Sequence, residues 1–248
     1  MKEIIFRLID NSNFEEYKAS YGKSIICGYA RVDGWAVGIV ANQREMIKTK
    51  KGEMQFGGVI YSDSADKAAR FIANCNQKKI PLIFLQDVTG FMVGSRSEHG
   101  GIIKDGAKMV NAMANSVVPK FTIIIGNSYG AGNYAMCGKA YDPRLIVAWP
   151  TAKIAVMGGE QAAKVLLQIE KKSLKDKGDE LDETKEKELL KTITEKYNKQ
   201  TSPYYAASNL WVDAIIDPLE SRKVISMGIE AANQSPIKKD YNPGIIQS

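Results

Sequence analysis

Apolar and polar positions along the chain predict strands and helices in alternation. The segments 81–86 and 121–125 each hold a short, branched apolar run between polar or turn residues, as buried strands do. Apolar residues recur at helical spacing in 64–77, where Ser64 is a candidate N-cap, and a second helix is expected over 101–115. Strands that alternate with helices predict an α/β fold.

Turn signals refine this outline. Asp33-Gly34 lies between two apolar runs, which predicts a β-hairpin. A short strand is expected over 154–157, and a helix is expected to follow it from Glu160. The sequence contains no internal repeat and no low-complexity tract.

The last third of the chain is predicted to be mostly helical. Residues 170–200 alternate Lys with Glu and Asp, which indicates a solvated helical pair with a break near Gly178-Asp179. Ser202-Pro203 and Pro218 are each expected to open a further helix. Helices of this kind pack either on a neighbouring subunit or on the periphery of their own domain.

Length and composition fit one domain. The chain has 248 residues, of which 44% are hydrophobic, and this is enough for a substantial core. No apolar stretch is long enough to span a membrane, and charged residues interrupt the N-terminal segment, so neither a membrane helix nor a signal peptide is predicted. We therefore expect a cytoplasmic protein without a membrane partner.

Charge and cysteine content argue against a nucleic-acid-binding protein and against a protein with disulfides or a metal site. The formal net charge is +6, yet the basic residues are mostly interleaved with acids, which argues against nucleic-acid binding and is compatible with an anionic substrate. The three cysteines, Cys27, Cys75 and Cys137, have no CxxC spacing, so neither a disulfide framework nor a metal site is predicted. We expect them to be buried and reduced.

The segment Ser128–Met136 is the strongest candidate for chemistry. It follows the strand at 121–125, and its glycines predict a tight turn that leads directly into a helix. Gly130 and Gly132 let the backbone approach a ligand closely, and Ala131 adds only a methyl group. The first N–H groups of a helix lack partners within it, so main-chain binding of an anion is predicted. The alternative is a close contact between helix and sheet.

Two nucleotide-binding motifs are nearly present. Gly130-x-Gly132-x-x-Ala135 fits a dinucleotide fingerprint, but the expected helix finishes by Tyr141-Asp142-Pro143 and no acid ends the next apolar run, 145–149. The segment 101–108 resembles a phosphate-binding loop, but an extra alanine precedes its lysine and Met109 replaces the hydroxyl that would hold magnesium. Both nucleotide hypotheses are disfavoured, and oxyanion binding remains.

No constellation of acid and base side chains is evident in the sequence. His99 lies in a glycine-containing loop, so a Ser–His–Asp arrangement is conceivable in principle, although a histidine in such a loop is more often a bystander than a base. Asp87, at the end of a buried strand, is expected to bond neighbouring loop amides rather than to act as a base.

Several separate motifs follow one another along the chain. They are residues 84–94, 101–108, 118–120, 128–134 and 149–159. Together they resemble the carboxyltransferase (beta) subunits of biotin-dependent acyl-CoA carboxylases. The turn Tyr-Gly-Ala-Gly-Asn-Tyr is most similar to that of the methylcrotonyl-CoA and geranyl-CoA carboxylase branch. The resemblance extends, with gaps, from Ile4 to about Asn233.

The resemblance implies a fold and a domain organisation. Family members have two crotonase-like domains, each a spiral of ββα units, and residues 1–248 resemble only the second, with a helical C-terminal extension. The family's N-terminal domain, which supplies the enolate oxyanion hole and most contacts to the CoA nucleotide, has no counterpart here. We therefore expect a single C-terminal carboxyltransferase domain that begins at a domain boundary and is inactive alone.

The resemblance also assigns site residues. The amides of Ala131 and Gly132 would hold the biotin ureido oxygen, and Gly130 would shape their turn. Tyr134 falls where the family lines the acyl pocket. The remaining candidates, which border the biotin pocket in the family, are Gly90, Phe91, Gly158 and Gly159. For these four, the plain alternative is a turn glycine or a core phenylalanine.

The implied reaction transfers the carboxyl group of N-carboxybiotin, held on a separate carrier, to an acyl-CoA similar to 3-methylcrotonyl-CoA. In the family, the biotin anion left after release of CO2 removes the acyl-CoA proton, so the protein mainly provides main-chain oxyanion holes. The expected partners are the biotin carboxylase and biotin carrier subunit, the N-terminal carboxyltransferase domain of another subunit, and further copies in a ring-like hexamer. No metal is expected.

Three alternatives remain open. The first is a subunit of a biotin-dependent acyl-CoA decarboxylase of the glutaconyl type. The second is a stand-alone crotonase-like hydratase or isomerase, which needs paired carboxylates over the thioester and its own enolate hole. The third is a non-catalytic half that assembles with a partner and orients it.

Overall fold

The computed structural model describes residues 1–49, 52–176, 183–235 and 239–244. Its strands are β1 (Glu15–Glu16), β2 (Ile25–Val32), β3 (Trp35–Asn42), β4 (Ile47–Lys48), β5 (Met54–Gln55), β6 (Val59–Ile60), β7 (Leu82–Val88), β8 (Gly90–Phe91), β9 (Lys120–Tyr129), β10 (Leu145–Ala148), β11 (Lys153–Ala155) and β12 (Ala214–Ile215). Its helices are α1 (Lys2–Leu8), α2 (Ser62–Gln77), α3 (Ser95–His99), α4 (Ile102–Ala114), α5 (Gly130–Ala135), α6 (Gly159–Asp176), α7 (Glu183–Gln200), α8 (Pro203–Ser208) and α9 (Ser221–Asn233). Turns of 3₁₀ helix lie at Asp10–Ser12, Lys139–Tyr141 and Pro218–Glu220.

In the described part of the chain, eight strands form one mixed sheet in the order β1-β2-β3-β7-β9-β10-β12, with β11 pairing with β9. The first three strands are antiparallel neighbours, and the other pairings of this sheet are parallel. Strand β9 pairs with β10 near its start and with β11 at residues 127–129. Because parallel strands end at the same edge, β9 carries the glycine turn to the edge where β7 also ends.

The sheet is buried on both faces. One face packs against α2 and α4 through side chains such as Phe71 and Met109, and the other packs against α1 and α9 through Ile5 and Ile229. Phe84 belongs to the first cluster, whereas its two neighbours in β7 belong to the second, as the alternation of a strand requires. Burial on both faces explains why these strands read as continuous apolar runs.

The predicted α/β alternation is confirmed, as is the hairpin. Asp33 and Gly34 join β2 to β3 with φ values of 53° and 83°, the positive pair that a two-residue hairpin turn needs. Ser202 caps α8, since its Oγ accepts a hydrogen bond from the Tyr205 amide at 3.2 Å. At Pro218 a 3₁₀ turn forms first, and α9 follows it.

Several predicted boundaries were wrong. Ser64 is not the N-cap of α2: the helix begins at Ser62, and Ser64 accepts from the Tyr61 amide at 2.9 Å from within the first turn. Strand β9, predicted over 121–125, continues to Tyr129 because β11 pairs with its end. The predicted break near Gly178-Asp179 lies outside the described residues, and α6 and α7 lie on either side of it.

Candidate functional site

Gly130 forms the corner between β9 and α5. Its φ is +50°, and a Cβ at this position would lie 2.7 Å from the carbonyl oxygen of Val156. An L side chain would therefore be strained and would also collide with backbone, so the corner requires glycine. The tight turn predicted from the sequence is confirmed.

Gly132 packs the start of α5 onto the end of β7. A Cβ on this residue would lie 2.6 Å from Cγ2 of Val88 and 3.1 Å from Cα of Gly90. Ala131, by contrast, is exposed. The amides at this end of a helix precede the first i→i−4 hydrogen bond and lack helical partners. The turn is therefore packed on the sheet at Gly132 and open at Ala131.

Gly90 and Phe91 have different surroundings. Gly90 has a φ of +140°, and a Cβ there would meet no described atom within 4 Å, so the space beside it is open. The half-buried ring of Phe91 lies against α4, where a Cβ on Gly106 would come within 2.9 Å of it. The structure thus brings Gly90 to the glycine turn. Phe91 instead packs onto α4, which agrees with the alternative that it is a core residue.

Gly158 and Gly159 follow β11, which ends at Ala155 and is shorter than predicted. A Cβ on Gly158 would lie 3.7 Å from the ring of Tyr129, the last residue before the turn. Gly159 begins α6, and a Cβ there would lie 3.2 Å from Oδ1 of Asn198 on α7. Gly158 is therefore next to the glycine turn, whereas Gly159 faces the helical pair.

Helix α5 is shorter than the sequence predicts. It ends at Ala135, because Cys137 adopts a φ of 62° and a left-handed residue cannot continue a right-handed helix. The chain then enters the 3₁₀ turn that holds Tyr141. Tyr134 is 50% exposed and packs edge-to-face on Tyr141, with ring centroids 6.0 Å apart. Its ring is therefore held in place yet accessible.

An ion pair that the sequence does not reveal lies beside the turn. Arg44 Nε donates to Asp87 Oδ2 at 2.6 Å, and Asp87 Oδ1 accepts from the Asn127 amide at 2.9 Å. Asp87 thus bonds a main-chain amide, as predicted, but that amide belongs to strand β9 and not to a loop. Arg44 precedes Asp87 by 43 residues, so no local pattern could have indicated their contact.

His99 and the cysteines have no evident chemical role. His99 is exposed at the end of α3. Cys27, Cys75 and Cys137 are buried and free, and burial raises the pKa of their thiols to about 12, about 12 and about 11, respectively. The thiols therefore stay protonated at neutral pH and contribute packing.

Neither a metal site nor a membrane span is found among the described residues. No group of three or more His, Cys, Asp or Glu side chains in this part of the chain is placed to hold a metal ion. None of the helices described above is both long and apolar enough to cross a membrane.

Sequence comparisons identify relatives of the chain. A family model described as "Carboxyl transferase domain" matches residues 1–244. The chain is 48% identical over 237 residues to the mitochondrial methylcrotonoyl-CoA carboxylase beta chain of Dictyostelium discoideum, covering 96% of this chain and 38% of that protein. It is 46% identical over 235 residues to the biotin-dependent 3-methylcrotonyl-coenzyme A carboxylase beta1 subunit of Mycobacterium tuberculosis, covering 95% and 42%. The chain spans about two fifths of the length of these relatives.

Solved structures share the fold. The beta subunit of Pseudomonas aeruginosa geranyl-CoA carboxylase superposes with a TM-score of 0.80 at 38% identity, over 98% of this chain and 44% of that one. The transcarboxylase 12S subunit, solved as a hexamer with methylmalonyl-coenzyme A bound, gives a TM-score of 0.86 at 33% identity, over 100% and 44%. The crotonase-like α/β fold implied by the resemblance is confirmed.

Proposed function

Because the chain belongs to the carboxyl transferase domain family, we propose that it supplies the C-terminal, biotin-side half of an acyl-CoA carboxyltransferase. One observation supports this proposal: next to the corner at Gly130, Gly132 packs closely against Gly90 at the end of the sheet, and the space beside Gly90 is open. The acyl group is proposed to be similar to 3-methylcrotonyl, since two of the relatives are named for that substrate.

The turn fits a ureido oxygen. Ala131 is exposed and carries only a methyl group, and the space beside Gly90 is open, so we propose that a ureido oxygen approaches the turn from the Ala131 side and accepts from the amides of Ala131 and Gly132. When bound, N-carboxybiotin would supply the carboxyl group and the nitrogen base that takes the acyl-CoA proton, and the amides of Ala131 and Gly132 would hold its ureido oxygen. The two amides stabilise the negative charge on the ureido oxygen, each contributing about 3 to 4 kcal/mol.

We propose different roles for the other candidate residues. Tyr134 presents an accessible ring held by Tyr141, and we propose that it lines the acyl pocket. Gly90 and Gly158 keep the approach to the turn free of side chains. Of the biotin-pocket candidates, Phe91 and Gly159 are proposed to act only by supporting the loop and the helix that carry them.

The proposed partners follow from the same function. They are the acyl-CoA, the biotin carboxylase with its biotin carrier, the N-terminal carboxyltransferase domain of another subunit, and further copies of this chain. A cytoplasmic location stays a prediction, as does the absence of a metal, of nucleic acid and of a membrane partner.

Isotope transfer tests the function. The complete subunit, in which this chain follows an N-terminal carboxyltransferase domain, is mixed with biotin carboxylase, biotinylated carrier, ATP, labelled bicarbonate and 3-methylcrotonyl-CoA. We expect the label to enter the acyl-CoA and avidin to block the reaction. Hydration or isomerisation of the enoyl-CoA without biotin would contradict the proposal, and net release of CO2 from the carboxylated ester would favour the decarboxylase alternative.

Replacement of His99 is expected to have little effect. In the same assay, His99→Ala should retain the turnover of the parent enzyme, because only an exposed side chain at the end of α3 is removed. Steady-state kinetics and a melting temperature are the measurements. If a folded His99→Ala variant lost its activity, side-chain base catalysis would have to be reconsidered.

An exposed apolar face suggests self-association. Val165, Leu166 and Ile169 lie on α6 with 43%, 43% and 59% of their surfaces exposed. Contiguous apolar surface commonly marks an interface. We expect at least a dimer by sedimentation velocity, and we expect Ile169→Lys to shift it toward monomer. Leu219→Lys, which changes an apolar side chain that is 91% exposed elsewhere, serves as the control. A monomeric parent protein at high concentration would contradict this expectation.

A further inference from the structure

A chain of hydrogen bonds joins the two sides of the glycine turn beneath α5. Asn133 Nδ2 donates to Ser128 Oγ at 2.7 Å, and Ser128 Oγ donates to Gln86 Oε1 at 2.6 Å. Gln86 Nε2 then donates to the carbonyl oxygen of Met136 at 2.8 Å. Ser128 precedes the turn and Asn133 follows it, so these bonds tie both ends of residues 129–132 to strand β7.

The bonds define one arrangement of the side chains. Ser128 and Gln86 are completely buried, and the single hydroxyl proton of Ser128 is given to Gln86 while its oxygen accepts from Asn133. The main chain of Asn133 is held as well, because its backbone carbonyl oxygen accepts from the Gly138 amide at 2.8 Å. The Asn133 side chain fills the space that a Cβ on Gly138 would occupy, so it packs directly against that glycine.

Polar side chains are unusual at these positions. Gln86 and Ser128 lie in strands whose other buried positions are mostly apolar, and a buried polar group costs free energy unless it is bonded. The hydrogen bonds of Gln86 and Ser128 hold the segment that contains the turn. This role explains why two polar side chains occur in the core.

We propose that Gln86, Ser128 and Asn133 are positioning residues that set the direction of the Ala131 and Gly132 amides; this inference rests on the proposed function. Glycines permit the shape of the turn but do not select it, because a glycine has many accessible conformations. Donors of an oxyanion hole must be held within about 0.5 Å of the productive geometry. The hydrogen-bond chain supplies that constraint through the backbone, without touching the substrate.

Ser128→Ala in the complete subunit tests the inference. The assay is carboxylation of free biotin, with a carboxylated acyl-CoA as the source of the carboxyl group. We expect its kcat to fall by about tenfold to a hundredfold, which is no more than the decrease caused by deleting one amide donor. The KM for the acyl-CoA should stay unchanged. Hydrogen exchange of the peptide that spans 129–136 should become faster, which reports the loosened turn directly.

Thr122→Val is the matched control. Thr122 is also a buried residue of β9, and its hydroxyl donates to the Cys137 carbonyl oxygen at 2.7 Å, beyond the turn. We expect a similar decrease in melting temperature but parental kcat and parental exchange over 129–136. If Ser128→Ala fails to fold, Asn133→Ala takes its place with the same expected results, because Asn133 is only half-buried.

The outcomes separate the two proposals. The first variant is Ser128→Ala, or Asn133→Ala in its place. If its kcat equals that of Thr122→Val, the positioning role is overturned, even if the turn itself proves essential. An unmutated complete subunit that carboxylates no biotin would overturn the proposed function instead, and the positioning inference with it.

Discussion

Ala131→Pro in the complete subunit is expected to lower carboxyl transfer from carboxybiotin by about 10²- to 10³-fold, because it deletes one of the two proposed amide donors. Ala131 is exposed in the first turn of α5, where its N–H has no partner within the helix and proline is tolerated. The loss should appear in kcat, and the KM for the acyl-CoA should change little. Steady-state kinetics with each substrate varied in turn provide the measurement.

Two further variants separate the amide from its side chain. Ala131→Ser keeps the amide and changes only an exposed group, so it should retain full activity. Gly132→Pro should abolish the biotin-dependent reaction, but a side chain at this position also collides with Val88, so it both deletes a donor and displaces the turn. Full activity of folded Ala131→Pro and Gly132→Pro variants would show that the main chain of the turn is not the oxyanion hole.

A protein that consists of residues 1–248 alone is expected to carboxylate 3-methylcrotonyl-CoA at least about 10³-fold more slowly than the same chain supplied with an N-terminal carboxyltransferase domain. Two oxyanions develop in the reaction, and we assign the donors of this chain to the one on biotin. Losing the donors for the enolate removes a comparable share of transition-state stabilisation. Labelled bicarbonate, biotin carboxylase and biotinylated carrier provide the assay with and without the added domain.

The N-terminal domain alone is the control for that experiment and should be equally slow. Steady carboxylation by residues 1–248 without the added domain would mean that this chain holds both oxyanions. In that case the proposed division of the active site between two domains would be wrong.

Local sequence patterns were sufficient for the elements that depend on nearby residues. The hairpin at Asp33-Gly34 follows from two residues that accept positive φ. The corner at Gly130 follows in the same way, since glycine adopts the left-handed conformation without strain. Burial of the strands followed from their apolar runs, because both faces of a mostly parallel sheet are covered.

Other boundaries depend on contacts with distant residues. Helix α5 ends at Ala135 because Cys137 takes a left-handed conformation that a cysteine does not prefer by itself. Strand β9 reaches Tyr129 only because β11 pairs with its end. Neither feature leaves a periodic signal in the sequence.

The sequence by itself determined the α/β alternation and the glycine turn. The spacing of apolar residues and the conformational freedom of glycine are both properties of residues that are neighbours in the chain. Only the tertiary structure decided what surrounds that turn. The sheet order β3-β7-β9 brings the ends of strands that are far apart in the chain to one edge. Gly90 thereby reaches Gly132, Arg44 reaches Asp87, and Gln86 reaches Ser128. These contacts follow from the way the strands are ordered in space, and no local pattern of residues specifies that order.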